Sequence, residues 1–244
     1  MDEVKPVWEK IEALTAQIHG WTPIDQLFAL FTITMASAGL EGDVLEVGSW
    51  SGRSAVVFGE AVKLLGHSVV HCVDLFPEKS DWRENPDGTY SFAVEIHGQK
   101  YQGYQEQTVW RDTFQNQVVK VYETSESLWE IFHRTIEARG MQGVVLAHRG
   151  DLESFLAARG TGFRCRVAFL DGDHGYQAVR QDIQSVEKHL VPGGWLCFDD
   201  AFTSYPGVDQ AIREMILENP GYDLCRQMTR KLFVARRKPD VTGG

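Results

Sequence analysis

Four aspartates carry the chemistry on which this sequence turns. Asp171 and Asp173 close the apolar run CRVAFLDGD, and Asp199 and Asp200 close the run GGWLCFDD. Each pair follows a stretch that reads as a buried strand. Between them lies an amphipathic segment with Val179, Ile183, Val186 and Leu190 on its apolar face, stopped by Pro192, Gly193 and Gly194. Strand, helix and strand in that order bring both strand ends to one rim of a parallel sheet, so the carboxylates converge there. Uncompensated, they raise one another's pKa by like-charge repulsion. A hard divalent cation bound through carboxylate oxygens would resolve that conflict.

The elements that position such a rim are legible upstream. GDVLEVGSWSGRSAVVFGEA, residues 42–61, reads as a buried strand, a glycine-rich turn and a helix, with Glu46 inside the strand and Gly48 and Gly52 bracketing the turn. Glycines let a backbone approach a ligand where a Cβ would clash, and the following helix offers unpaired N–H groups. A G-x-G-x-x-G dinucleotide turn is excluded, because position 50 is Trp50. The next strand, SVVHCVDLF, carries Asp74 near its end; an acid some 20 residues past the turn suits a ribose. VVLAHRGDLESFLAARG, residues 144–160, repeats strand, turn and helix, and Asp151 reads either as a helix N-cap or as a cap that also accepts an adenine amino group.

E-x-G-x-x-x-G at Glu46, Gly48 and Gly52 resembles motif I of the class I S-adenosylmethionine (SAM) methyltransferases. LDGDHGYQAVRQDI and PGGWLCFDD resemble the small bacterial O-methyltransferases of antibiotic tailoring, the macrolide and aminocoumarin type, and the likeness covers roughly residues 40–76 and 125–236. The resemblance implies a Rossmann-like α/β fold: a seven-stranded, mostly parallel sheet with an antiparallel last strand and helices on both faces. It implies SAM bound by Glu46, Gly48, Ser49, Gly52, Ser54, Asp74, Asp151 and Asp171. It further implies Mg2+ on Asp171, Asp199 and Asp200, with Asp173 as general base and His174 beside it in a catalytic role less fixed by the likeness. The implied reaction is methyl transfer to a hydroxyl of a small molecule, a sugar or phenolic group of a secondary metabolite. Two other classes fit the same residues: a metal-independent N- or C-methyltransferase, and a SAM- or nucleotide-binding protein that transfers nothing.

Composition narrows the partners. A formal charge of −10 argues against nucleic acid or an anionic membrane surface. No apolar run approaches the ~20 residues of a membrane helix, and the start does not resemble a signal peptide. A cytoplasmic protein, with a homo-oligomer left open, is the expectation. Cys72, Cys165, Cys197 and Cys225 each fall on an expected strand without C-x-x-C spacing, which reads as buried, reduced thiols. A single domain over residues 1–244 is expected, since 43% hydrophobic content suffices for one sizeable core.

The ends and the middle add three expectations. Residues 3–18 and 23–38 read as helices, the second capped by Thr22 with Pro23 at its first position, and Leu27, Leu30, Phe31 and Met35 form a stripe for the core or a subunit contact. Val208–Leu217 reads as a helix, followed by a final strand pair in YDLCRQM and KLFVARR. Residues 77–124 are long for an α/β connection and rich in aromatics, which suits either an inserted surface element or a lid over the site.

Overall fold

Apolar runs of five to nine residues become the strands of one sheet in the computed structural model, which describes residues 6–240. The strands in chain order are β1 (Asp43–Val47), β2 (Val70–Asp74), β3 (Trp82–Glu84), β4 (Tyr90–Ile96), β5 (Gln99–Gly103), β6 (Val145–Arg149), β7 (Cys165–Leu170), β8 (Leu190–Phe198), β9 (Tyr222–Gln227) and β10 (Phe233–Arg237). Seven of them form the main sheet in the order β6-β2-β1-β7-β8-β10-β9. Its first five strands are mutually parallel, and β10 runs antiparallel to both β8 and β9. This is the Rossmann-like methyltransferase sheet that the sequence implied. The order reverses at β1, which opens a crevice beyond the carboxyl ends of β1 and its neighbours.

Both faces of the sheet are covered, as continuously apolar strands require. On one face α2 (Ile24–Ala36) and α3 (Arg53–Leu65) bury Leu27, Leu30 and Phe58 against Phe169 and Val167. On the other, the helices Leu152–Arg159, Tyr176–Glu187 and Pro206–Ile212 bury Phe155, Ile183 and Ala211 against Leu45, Ala168 and Phe198. The stripe of Leu27, Leu30 and Phe31 therefore belongs to this chain's own core.

Several boundaries differ from the sequence reading. The helix after β7 ends at Glu187, and Leu190, Pro192, Gly193 and Gly194 open β8 instead of closing a helix. Gly194 is tightly enclosed: a Cβ there would lie 2.9 Å from the Val191 carbonyl oxygen and 3.0 Å from that of Arg166, so this glycine serves strand packing. α2 starts at Ile24 with Pro23 as N-cap, one residue later than expected, and Thr22 makes no cap hydrogen bond. α1 (Val7–Thr15) is shorter than the expected 3–18, of which residues 3–5 lie outside the described residues. The helix at Pro206–Ile212 passes into a π-helical turn, Arg213–Leu217. Cys72, Cys165 and Cys197 are buried free thiols, but Cys225 is exposed, because β9 is the sheet edge and its outward positions face solvent.

Residues 77–124 are not a bare connection. They fold as a second sheet, β3-β4-β5, followed by helical turns over 111–121. Trp82, Phe92, Tyr104 and Phe114 pack together at 5.1–5.6 Å between Trp82 and each of the others, and Tyr90 stacks on Phe114 at 3.8 Å. The aromatics scattered through that stretch of sequence thus pack on one another and extend the core on the α2–α3 side of the main sheet.

Two consequences for stability can be measured. Gly48 has φ +85°, and a Cβ built on it would lie 2.0 Å from the Asp171 carbonyl oxygen, whereas Gly66 has φ +75° and open space. Gly66→Ala should therefore cost about 1–2 kcal/mol of left-handed strain, and Gly48→Ala about 2–5 kcal/mol once overpacking is added, as read from urea unfolding. The second concerns His148 on β6, whose ring faces His71 at 3.2 Å and the Arg159 guanidinium at 3.0 Å. Burial, then the charge of Arg159, lowers its pKa from 6.5 to about 4. The unfolded chain takes up this proton first, so stability should fall as pH drops from about 6.5 towards 4. His148→Gln should flatten that part of the pH–stability curve.

Candidate active site

The turn after β1 is built around a residue in a conformation usually given to glycine. Trp50 has φ +48°, and Ser49–Gly52 closes as a turn with the Gly52 N–H donating to the Ser49 carbonyl at 2.8 Å. Asp74 at the end of β2 holds the strained residue: one carboxylate oxygen accepts the Trp50 N–H at 2.8 Å and the other accepts the Phe76 N–H at 2.6 Å. Burial raises the pKa of Asp74 against these bonds. The Trp50 indole packs against Trp21 at 5.4 Å, Trp82 at 6.2 Å and Tyr122 at 6.3 Å. Packing on three sides sustains a backbone geometry that costs of order 1–3 kcal/mol.

Beyond this turn opens a cleft of about 1400 Å³, lined from the described residues by Gly48, Ser49, Ser54, Asp74, Asp151, Asp171, Asp173, His174, Asp199 and Asp200 among others. Single-ligand pockets run to about 1000 Å³, so the cleft has room for a nucleoside cofactor and a second molecule. Glu46 and Gly52 do not line it. Glu46 is fully buried in β1, and burial raises its pKa against the nearby Ser54, Ser49 and Cys72 side chains. Gly52 has φ +92° and begins α3, with a Cβ position 3.3 Å from Phe132. Both support the loop from behind. Gly48 is required by the Asp171 carbonyl, so its lack of a side chain serves strand packing as well as ligand approach. Asp151 caps the following helix by accepting the Ser154 N–H at 2.9 Å while lining the cleft, so both readings of it remain open.

Across the cleft the acids do converge, with compensation that the strand ends alone could not reveal. Lys231, in the turn between β9 and β10, places its Nζ 2.8 Å from Asp199 Oδ2 and 3.3 Å from Asp200 Oδ1. Gln26 Nε2 on α2 donates to Asp199 Oδ1. Burial opposes ionisation of Asp199, but Lys231 and these hydrogen bonds outweigh it and hold its pKa low. Asp171 is pushed well up by burial and by the Asp199 charge. Asp200 rises through burial and Asp199, and its left-handed φ of +51° turns the chain sharply after β8. His174 Nε2 lies 3.5 Å from Asp200 and 4.0 Å from Asp171, and neither ring nitrogen has a hydrogen-bond partner among the described residues. Burial lowers its pKa against the opposing pull of the acids around it. Asp173 is exposed, and its Oδ1 accepts the Gly175 N–H at 2.7 Å.

The residues that sequence reasoning missed come from outside the strand ends. Gln26 is a fully buried polar residue on a helix face shared with Leu30 and Ile33; that interruption of an apolar stripe was its signal. Lys231 left no comparable mark, since a basic residue at a hairpin turn is ordinary. Tyr104 and Glu106 from the inserted sheet reach the cleft, Glu106 Oε2 lying 2.7 Å from where a Gly175 Cβ would be. Asp182 also lines it, with its pKa pushed up to about 7 by burial and by the charges of Asp173 and Asp151.

This geometry agrees with the comparisons to known proteins. Residues 45–201 match the sequence profile of a methyltransferase-domain family, and the chain belongs to that family: it is a class I SAM-dependent methyltransferase. No curated protein matches it. Among solved structures it is similar to the O-methyltransferase NovP, at 16% identity and TM-score 0.65, with 94% of this chain and 88% of that one covered. It is also similar to an O-methyltransferase from Bacillus cereus in complex with SAH, at 16% identity and TM-score 0.54, with 97% and 94% covered. The calicheamicin methyltransferase CalS11 aligns at 14% identity and TM-score 0.54, with 94% and 90% covered.

The cradle suits SAM: Ser49 Oγ is buried without a partner beside the cleft, next to a turn held open by Asp74. Removing that carboxylate frees Trp50 and strips acceptors from the cofactor side. Asp74→Ala should weaken SAM binding by a loss of about 1–3 kcal/mol, roughly 5- to 150-fold. Calorimetry checks this, and unchanged affinity in a folded variant would count against Asp74 as part of the cofactor site.

Proposed function

We propose that this chain transfers the SAM methyl group to a hydroxyl of a small molecule, a sugar or phenolic group of a secondary metabolite. The observation that carries the reading is that Asp171, Asp173, His174, Asp199 and Asp200 line the same cleft as Gly48, Ser49 and Trp50 of the motif I turn. Bound SAM supplies a methyl on a positively charged sulfur, which leaves as a neutral thioether when the carbon–sulfur electron pair moves onto sulfur. The protein's task is to align the acceptor oxygen with that carbon and to receive its proton. Asp173, exposed at the rim, is the proposed proton acceptor; His174, whose ring nitrogens have no hydrogen-bond partner among the described residues, is the proposed hydrogen-bonding group for the acceptor. Acids surrounding an unpaired imidazole favour a hydroxylated acceptor, whose donors they can satisfy.

Asp151 as an adenine acceptor and Asp74 as a ribose acceptor complete the proposed cofactor contacts. We read the chain as one catalytic unit in which residues 77–124 form the acceptor-side wall. Tyr101, Tyr104 and the largely exposed Trp110 line the cleft there and offer apolar faces to a ring. Magnesium on Asp171, Asp199 and Asp200, implied by the resemblance, does not fit this donor arrangement. One atom from each of Asp171, His174 and Asp199 falls within 4.8 Å of the others, yet Lys231 and Gln26 already take both oxygens of Asp199.

Asp173→Asn should lower turnover about 10²- to 10⁴-fold while leaving SAM affinity unchanged, since a base acts only in proton removal. Mass spectrometry of products from a panel of vicinal diols, catechols and amines distinguishes the classes. O-methyl products are expected; exclusive methylation of amines or carbon would replace this reading with N- or C-transfer, and SAM binding without any product would favour a non-transferring protein.

A further inference from the structure

We infer that Lys231 is the resident cation of the acid cluster: its ammonium occupies the position a divalent ion would need, so the site is metal-free by construction and the chain is a metal-independent member of its fold. The inference rests on the proposed transfer for its catalytic meaning, but its geometry does not.

Three observations carry it. Lys231 Nζ bridges Asp199 Oδ2 at 2.8 Å and Asp200 Oδ1 at 3.3 Å, joining two of the three acids to which the resemblance assigns a metal. The other oxygen of Asp199 accepts from Gln26 Nε2, so each of its oxygens already has a donor from the protein. The lysine is also fixed at its backbone, because its carbonyl accepts the Ala201 N–H at 3.0 Å, and its side chain is 9% exposed. A lysine that could swing into solvent would be a poor competitor for an ion; this one is held at both ends.

The chemistry follows. An ammonium is a compact point charge with three donors and no vacant coordination positions. It neutralises acids but cannot chelate a diol, so acceptor recognition passes to hydrogen bonds. His174 is the group left for that purpose, with a side chain 9% exposed and both ring nitrogens unpartnered. Lys231 is accordingly a positioning residue, setting the arrangement of Asp199 and Asp200 around the imidazole. Removing its charge while keeping its bulk should expose a carboxylate-rich pocket with the oxygen donors that hard cations prefer.

The test is a Mn2+ titration read by electron paramagnetic resonance on the full chain, which needs no methyl acceptor. The parent should leave Mn2+ free and keep its SAM affinity in EDTA. Lys231→Met should bind one Mn2+ at least about tenfold more tightly than the parent and gain thermal stability when it does. Lys231→Arg, which keeps the charge, should remain blind to the ion; a purely structural role would not separate these two variants. Stoichiometric Mn2+ binding by the parent, lost in Asp199→Asn, would overturn the inference. So would a folded Lys231→Met that binds no better than the parent. Should Lys231→Met not fold, the parent and Lys231→Arg titrations decide alone, because both must lack a site. Failure of the transfer reading would appear elsewhere, as absent O-methyl product, and would leave these titrations interpretable.

Discussion

The approach of Gly48 to Asp171 is the constraint on which the site depends. β1 and β7 are adjacent and parallel, the Asp171 N–H donates to the Val47 carbonyl at 2.9 Å, and the Asp171 carbonyl fills the volume a side chain at 48 would occupy. The cofactor turn and the acid cluster therefore share a backbone contact. Because packed interiors deform little, a shift of either strand end would move both walls of the cleft together. Methyl transfer needs this coupling, since reacting atoms must be held within a few tenths of an ångström of alignment.

Electrostatics explain how such a rim folds at all. Three buried or half-buried carboxyls, Asp171, Asp199 and Asp200, would oppose folding if all were charged and unpaired. The Lys231 ammonium, in contact with both Asp199 and Asp200, offsets part of that charge, and burial beside Asp199 pushes the Asp171 carboxyl towards its uncharged form. Lys231 lies far along the chain from β7 and close to it in space only because β10 inserts antiparallel beside β8. The antiparallel end of the sheet thus brings the counter-charge to the parallel part.

What could be read in the sequence was whatever a strand end states locally. The runs before Gly48, Asp151, Asp171 and Asp199 end in polar or glycine residues and precede helices, and Asp74 ends the parallel strand beside β1, so topology carries all five to one rim. Residues whose role comes from tertiary approach were not legible. Trp50 appeared only as the residue that excluded a dinucleotide turn, yet it sits in the left-handed region where glycine would be expected. Leu190 fitted the apolar period of a helix because period alone does not separate a helix's last turn from the first residue of a buried strand. Gln26 and Lys231 meet at Asp199 from opposite ends of the chain, a meeting that no local pattern records.

The parts of the cleft furthest from the sheet explain why this fold leaves the acceptor open. Arg53 on α3 donates to the carbonyls of Thr15 and Ile18 at 2.8 Å and of Thr22 at 3.0 Å, fastening the 16–23 segment beside the cofactor turn so that Trp21 meets Trp50. The inserted β3-β4-β5 sheet meets the same tryptophan from another direction through Trp82. Trp50 is therefore the junction of three elements, the turn after β1, the 16–23 segment and the inserted sheet, all of which line the cleft. On the proposed reading, a sequence change in either flanking element reshapes the acceptor space without touching a strand end, whereas the turn after β1 is tied to the sheet through Asp74 and Gly48. On that reading the sheet sets the fold and the cofactor position, and what is packed around Trp50 shapes the space left for the acceptor.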